Sequence, residues 1–273
     1  KKNFILDNWI TYFSDPWSDN PFFNRSYLGF EKLFNIINEK KVFMESKKII
    51  CTSVETKELI GKKYDFKIQD KIFVIPHCFD RKLYLKNHDN LEIDKKKITF
   101  RYIGKFYGKR FPNILIDALK IIEKKDIDIF KKINFEVYGS QNFLVTSKIL
   151  YFKKYIKSFG PLSYSKSLQI MQNSDYLLVI DAPFRKSVFF PSKLVDYMGS
   201  SNKVIGITPP GTAREVIKKM GGYTFSHENS IELADQILNL LKVKDSKNNL
   251  NEEFINSFSS EQVGLRFQKL LNT

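Results

Sequence analysis

The stretch DYLLVIDAPFRKSVFFPSKLVDYMGSSNKVIGIT, Asp175 to Thr208, reads as a strand, a loop, a helix and a second strand. DYLLVID is a continuous apolar run of the kind buried on both faces in a parallel sheet, and its polar end is Asp181. The helix opens near Pro191, and Gly199 supplies its stop. Leu194, Tyr197 and Met198 form its apolar stripe, while Ser192, Lys193 and Asp196 are placed on one polar face. That face has two readings. Lys193 and Asp196 pair at i, i+3 on an ordinary solvated surface, or the hydroxyl, the ammonium and the free amides of a helix start meet a phosphate while the carboxylate one turn on accepts hydrogen bonds from sugar hydroxyls.

Outward from this unit the same alternation continues. Upstream, ITFRYI leads through GKFYGKRFP into a helix opened by Pro112, whose Leu115, Ala118, Leu119 and Ile122 form one stripe. FEVYG is the next strand, a helical segment runs from Gln141 to Lys157, KSFGPL is a short strand and turn, and a helix spans Tyr164 to Asn173. Downstream come the helix TAREVIKKM, the strand GYTF and the helix SIELADQILNLLK. This is a doubly wound α/β domain on a parallel sheet. Earlier, NWITYF, KIICTS and KIFVIP read as three strands around two helices, one carrying Phe30, Leu33, Phe34 and Ile37 at helical spacing and one capped by Ser53. The expected organisation is therefore residues 1–76 as the C-terminal portion of a first Rossmann-like domain, 77–97 as a linker, 98–250 as a second Rossmann-like domain, and 251–273 as a C-terminal helix packing back toward the first. Three strands and two helices make an incomplete first domain, so further chain is expected ahead of Lys1.

At 273 residues the chain has room for two domains, and no run approaches the eighteen or so apolar residues of a membrane span. No secretory signal is legible in KKNFILDNW, and the two cysteines, Cys51 and Cys78, form no CxxC pair, so free thiols in a reducing cytoplasm are expected. His77, His88 and His227 share no metal-ligand spacing and are read as structural or exposed; no metal site is expected. The net charge of +15 draws the chain to something anionic. With lysines spread along helix faces and no arginine-rich arm, nucleic acid is the least favoured partner.

In open α/β sheets ligands sit beyond the carboxyl ends of the strands, here the loops after Ile103, Tyr138, Phe159, Ile180 and Thr208. Gly104 to Arg110 joins two glycines to Lys105, Lys109 and Arg110, which suits either a diphosphate or a plain βα turn. It is not a Walker loop: three residues separate its glycines and no Ser or Thr follows the GK pair.

These segments resemble the GT-B fold glycosyltransferases, specifically the large retaining family four. YIGKFYGKRFPNILIDAL, SKSLQIMQNSDYLLVID and FFPSKLVDYMGSSNKVIGITPPGTAREVI are similar to that family's nucleotide-sugar donor domain, and CTSVETKELI, KIFVIPHCFD and SDPW to its acceptor domain, in the family's order across nearly the whole chain. The resemblance implies a sugar transfer from a nucleotide-diphosphate donor to a saccharide or lipid-linked acceptor in cell-surface polysaccharide or glycoconjugate synthesis, with retention of configuration and with neither metal nor other cofactor. Arg110, with Lys105 or Lys109, would hold the diphosphate beside Gly104; Pro191, Ser192 and Lys193 would hold it from the other side; Asp196 would bind ribose; and the backbone of Gly160, Pro161 and Leu162 would meet the base.

The departures are specific. The family's first glutamate falls on Val188, which leaves sugar recognition to Asp181 or main-chain amides, and Ser14 stands where many members carry a cleft histidine, leaving Asp15 as the nearest ionisable group for a catalytic or acceptor-orienting role, unless it merely makes an Asx turn. A catalytically inactive nucleotide-sugar-binding partner is the alternative, and a basic nucleic-acid-binding domain the third. The basic surface suits peripheral contact with an anionic membrane at its cytoplasmic face.

Overall fold

The computed structural model describes residues 9–22, 29–85, 97–243 and 249–272. Residues 86–96 of the expected linker, with His88, and residues 244–248 lie outside the described residues.

Two parallel sheets carry the chain. In the first, β1 (Ile10–Phe13) is followed by helix α1 (Gly29–Glu45), β2 (Lys48–Cys51), α2 (Val54–Lys63) and β3 (Ile72–Val74), and the strands lie in the order β1-β2-β3. Ser53 caps α2 by accepting from the Thr56 amide at 3.0 Å. The second sheet is built from β4 (Ile98–Ile103), α3 (Asn113–Lys125), α4 (Ile127–Lys131), β5 (Ile133–Tyr138), α5 (Phe143–Tyr151), β6 (Lys157–Phe159), α6 (Tyr164–Gln172), β7 (Tyr176–Ile180), α7 (Ser192–Gly199), β8 (Lys203–Ile207), α8 (Thr212–Lys219), β9 (Tyr223–Phe225) and α9 (Ser230–Val243). Its order is β6-β5-β4-β7-β8-β9, with every neighbouring pair parallel. From β4 the chain winds outward to β6, then returns to β7 beside β4 and winds the other way. The turning point between β4 and β7 is the place where such sheets open a crevice.

The sequence explains this layering. β7 and β8 are buried at every residue, as their unbroken apolar runs require. One face of the sheet carries the core of Phe100, Tyr102, Leu178 and Ile205 with α3 and α9; the other carries Leu177, Val179 and Val204 with α7 and α8. Short α10 (Glu252–Asn256) leads to α11 (Ser260–Leu271), whose Val263 and Leu270 pack on Ile50 and Ile75 of the first sheet while Lys48 Nζ bonds the Leu270 carbonyl.

Some expectations fail locally. The helix expected from Gln141 to Lys157 is confined to α5, because Asn142 caps it by accepting from the Val145 amide, and Gln141 is drawn away to the Gly104 carbonyl. Helix α4 was not expected, and the expected C-terminal helix 251–273 is divided into α10 and α11. The largest departure is in α1. Its stripe of Phe30, Leu33, Phe34 and Ile37 faces outward, Phe30 being 88% exposed, whereas Glu39 on the opposite side is 2% exposed. Glu39 is buried because it is fully partnered: it accepts from the Ser18 amide at 2.6 Å and from Tyr64 Oη and Lys63 Nζ at 2.7 Å each.

Glu39→Ala would strip the Lys63 ammonium and the Tyr64 hydroxyl of their shared acceptor and is expected to cost about 3 kcal/mol in urea unfolding, whereas Ile37→Ala should stay within about 0.5 kcal/mol. The reverse ranking would show that the apolar stripe, not the acid, holds α1.

Candidate functional site

The crevice between β4 and β7 is walled by two loops and the start of α7. Strand β4 ends in Gly104, whose φ of +142° is open to glycine and whose added Cβ would stand 2.7 Å from Lys193 Nζ. A side chain here would displace the ammonium. Lys193 Nζ instead lies 3.7 Å from the centre of the Tyr102 ring. It makes no ion pair among the described residues. Burial first, and then the neighbouring Arg110 cation, pull its pKa down to about 7 against the opposing attraction of Asp181. Helix α7 follows Pro191, which gives it no side-chain cap; the Leu194 amide turns back to the Pro191 carbonyl at 3.0 Å, and the Ser192 and Lys193 amides ahead of it make no hydrogen bond among the described residues.

Arg110 is differently placed. Its Nε and one terminal nitrogen reach Asp181 Oδ1 at 3.0 and 2.9 Å, and its other terminal nitrogen donates to Tyr107 Oη. Its guanidinium carbon sits 4.6 to 5.3 Å from the ring centres of Tyr107, Phe22 and Phe189. Asp181 is 0% exposed and also accepts from the Ala182 amide and the Ser187 hydroxyl. The sequence reading offered Asp181 for sugar recognition; in the structure both of its oxygens are engaged by the chain itself, Oδ1 by Arg110 and the Ala182 amide and Oδ2 by the Ser187 hydroxyl.

A cavity of about 260 Å³ lies between these walls, lined by Gly104, Lys105, Arg110, Pro191, Ser192 and Lys193 on one side and by Ser14, Asp15 and His77 on the other. Among its walls Asp15 has its carboxyl pushed above the usual range by burial, with Arg110 pulling it down and Asp181 pushing it up. Lys109 is exposed and outside this lining, and Gly160, Pro161 and Leu162 line no described cavity. Asp196 shares a cavity wall with Ser192 but not with Lys193. Its Oδ1 accepts from Tyr164 Oη at 3.0 Å and Tyr84 Oη at 3.2 Å, and burial raises its pKa against those bonds. The simple i, i+3 pair with Lys193 is not formed: Asp196 lines a second cavity of about 490 Å³, which adjoins the first through His77 and Ser192 and extends to Tyr12, Val263 and Phe267.

Three features escaped the sequence. Tyr102 serves as the platform under Lys193, Tyr84 and Tyr164 hold Asp196, and His77 lines both cavities. For His77 a signal existed: it directly follows Pro76 at the carboxyl end of a strand, the place where ligands meet parallel sheets.

No protein-family model matches the chain, and no curated protein matches it in sequence. Solved structures do match in fold. The chain is similar to Anabaena HepE (Alr3699), solved with UDP and glucose, at a TM-score of 0.73 and 14% identity over 97% of this chain and 71% of that one. A glycosyltransferase of Rickettsia africae gives 0.67 and 16% over 96% and 69%, and the pneumococcal O-GlcNAc transferase GtfA, solved with UDP and GlcNAc, 0.65 and 13% over 99% and 54%. The chain thus has the parallel-sheet α/β fold of GT-B glycosyltransferases.

The Lys193 environment has a measurable sign. Between pH 7 and the ordinary lysine value of 10.5 the unfolded chain holds this proton and the folded chain does not, so stability from this group rises with pH across that window. Urea unfolding should show the wild type gaining on Lys193→Met as pH goes from about 7 to about 9. A difference that does not change with pH would mean an ordinarily solvated ammonium.

Proposed function

We propose that the protein is a glycosyltransferase that moves a sugar from a nucleotide-diphosphate donor to a saccharide or lipid-linked acceptor. The observation that carries this reading is the Lys193 ammonium, which has no carboxylate partner among the described residues and lines one cavity with the uncapped start of α7 and with Gly104. A dianion bound beside this amine and the free amides favours the protonated amine and is stabilised by it in return. Lys193, Ser192 and the first amides of α7 hold the diphosphate and stabilise it as it leaves, and exposed Lys105 closes over it. Arg110 contributes from behind, its position fixed by Asp181. Asp196 takes the ribose hydroxyls in place of its tyrosines. Tyr164 follows the Gly160–Leu162 loop by two residues, which supports that loop as the edge that meets the base. Asp15 faces the reacting sugar from across the cavity. This reading calls on no metal, and retention of configuration comes with the family resemblance.

The work of such enzymes on lipid-linked or surface glycans fits a location at the cytoplasmic face of a membrane. No described helix is long and apolar enough to cross one. The outward stripe of α1, with exposed Lys32, Lys40 and Lys41 on the same helix, is the surface that suits an anionic bilayer, where each lysine contributes about 1 kcal/mol. Flotation with phosphatidylserine vesicles at low salt should carry the wild type and leave Phe30→Glu/Phe34→Glu behind; no binding by the wild type removes this part of the reading.

A second reading, an inactive nucleotide-sugar-binding partner, is favoured by Val188 and Ser14 at positions where the resembled family carries a glutamate and a histidine. Calorimetry and donor turnover separate the two. Lys193→Ala should weaken nucleoside-diphosphate binding by about tenfold or more while barely affecting nucleoside binding, and Asp196→Ala should weaken both. Release of nucleoside diphosphate from a nucleotide sugar by the wild type supports the enzyme. Preference for oligonucleotides over nucleoside diphosphates would reject both readings.

A further inference from the structure

His77 stands between the two cavities and is fixed from both sheets. Its ring lies against Phe190, ahead of α7, with centroids 6.0 Å apart and planes at 15°, and its Nδ1 is 3.2 Å from Tyr12 Oη on β1. Nε2 makes no hydrogen bond among the described residues. Packing alone does not call for an imidazole at this point, since an apolar ring would stack on Phe190 equally well.

The polar groups around it divide by chemistry. Lys105, Arg110 and Lys193 are donors and suit the anionic half of a donor substrate. An incoming hydroxyl needs an acceptor, and the ionisable candidates on the cavity wall are Asp15 and His77. Of these, His77 is the one held in place by two contacts.

We propose that His77 receives the sugar acceptor. With Nδ1–H donating to Tyr12 Oη, Nε2 presents a lone pair that takes a hydrogen bond from the attacking hydroxyl and aims it at the donor sugar. The inference rests on the glycosyltransferase reading. Tyr12 Oη, which can accept as well as donate, accommodates that tautomer, and the acceptor enters by way of the larger cavity, which Ser260, Val263 and Phe267 of α11 help to line. Burial favours the neutral ring that this role requires. Lys105, Arg110 and Lys193 around the cavity act in the same sense; Asp15, Asp196 and Glu261 act against it, and Tyr12 and Cys78 beside the ring are neutral in this range.

The test uses the full chain with UDP-glucose and its GDP- and ADP-linked counterparts, following nucleoside-diphosphate release with water as acceptor from about pH 5 to about pH 8, and UDP binding by calorimetry. His77→Gln and His77→Ala should lower kcat by about tenfold, as for one lost substrate hydrogen bond, with donor KM and UDP affinity within about twofold of wild type. The wild-type acid limb, with its midpoint below the ordinary histidine value of 6.5, should vanish in His77→Gln. Tyr12→Phe, at a half-exposed site, should lose part of kcat and keep the limb; it and His77→Gln decide the matter if His77→Ala does not fold. An unchanged kcat and acid limb in His77→Gln, or a UDP affinity that falls in step with kcat, overturns the inference while leaving the enzyme reading intact. A wild type that binds no nucleoside diphosphate, or binds it without turning over any donor, overturns the enzyme reading and this inference together.

Discussion

The Arg110–Asp181 contact sets the shape of the crevice. A guanidinium and a carboxylate withdrawn from water cost free energy unless their neighbours satisfy them, and the chain around them does so: two nitrogens on one carboxylate oxygen, an amide and a hydroxyl on the carboxylate, three aromatic rings around the cation. Because Arg110 follows β4 and Asp181 follows β7, the pair joins the two strands at which the sheet changes direction. The loop from Lys105 to Phe111 is thereby tied down at its far end, as Phe106 on the Tyr102 ring and Gln141 on the Phe106 amide tie it at its near end.

Once that cation is satisfied, the balance of charge in the crevice falls to Lys193. Its ammonium sits over a ring, which offers a face and no countercharge, and it is close enough to Arg110 to feel it. Of two neighbouring cations one is therefore architectural and the other available. The sequence could not tell them apart, since GKFYGKR and PSKLVD each present a basic residue beside glycine or a helix start. Only the carboxylate that reaches one and not the other separates them.

What was legible followed from local rules. The alternation of strands and helices, the parallel sheet with fully buried central strands, the start of α7 and the Ser53 cap depend on spacing within a few residues, and spacing is visible in one dimension. What was not legible depended on partners far along the chain. Asp181 was a candidate for sugar recognition because Arg110, its partner, is 71 residues away. His77 read as structural or exposed because its neighbours, Tyr12 and Phe190, lie 65 and 113 residues away along the chain, on β1 and on the loop before α7. The stripe on α1 was correctly periodic, but periodicity names a face without saying which side is inside; Glu39 decided that through Lys63 and Tyr64.

The main-chain carbonyl of Val188 accepts from the hydroxyls of Ser53 at 2.7 Å and Thr56 at 2.9 Å, both at the start of α2. The segment that precedes α7 is thus fastened to the first sheet while its backbone belongs to the second. A rotation that parts the two sheets must either break both bonds or carry this segment with it, and the segment ends in Phe190 and Pro191, which line the wall around Lys193. The two hydroxyls therefore make one wall of the crevice common to both sheets.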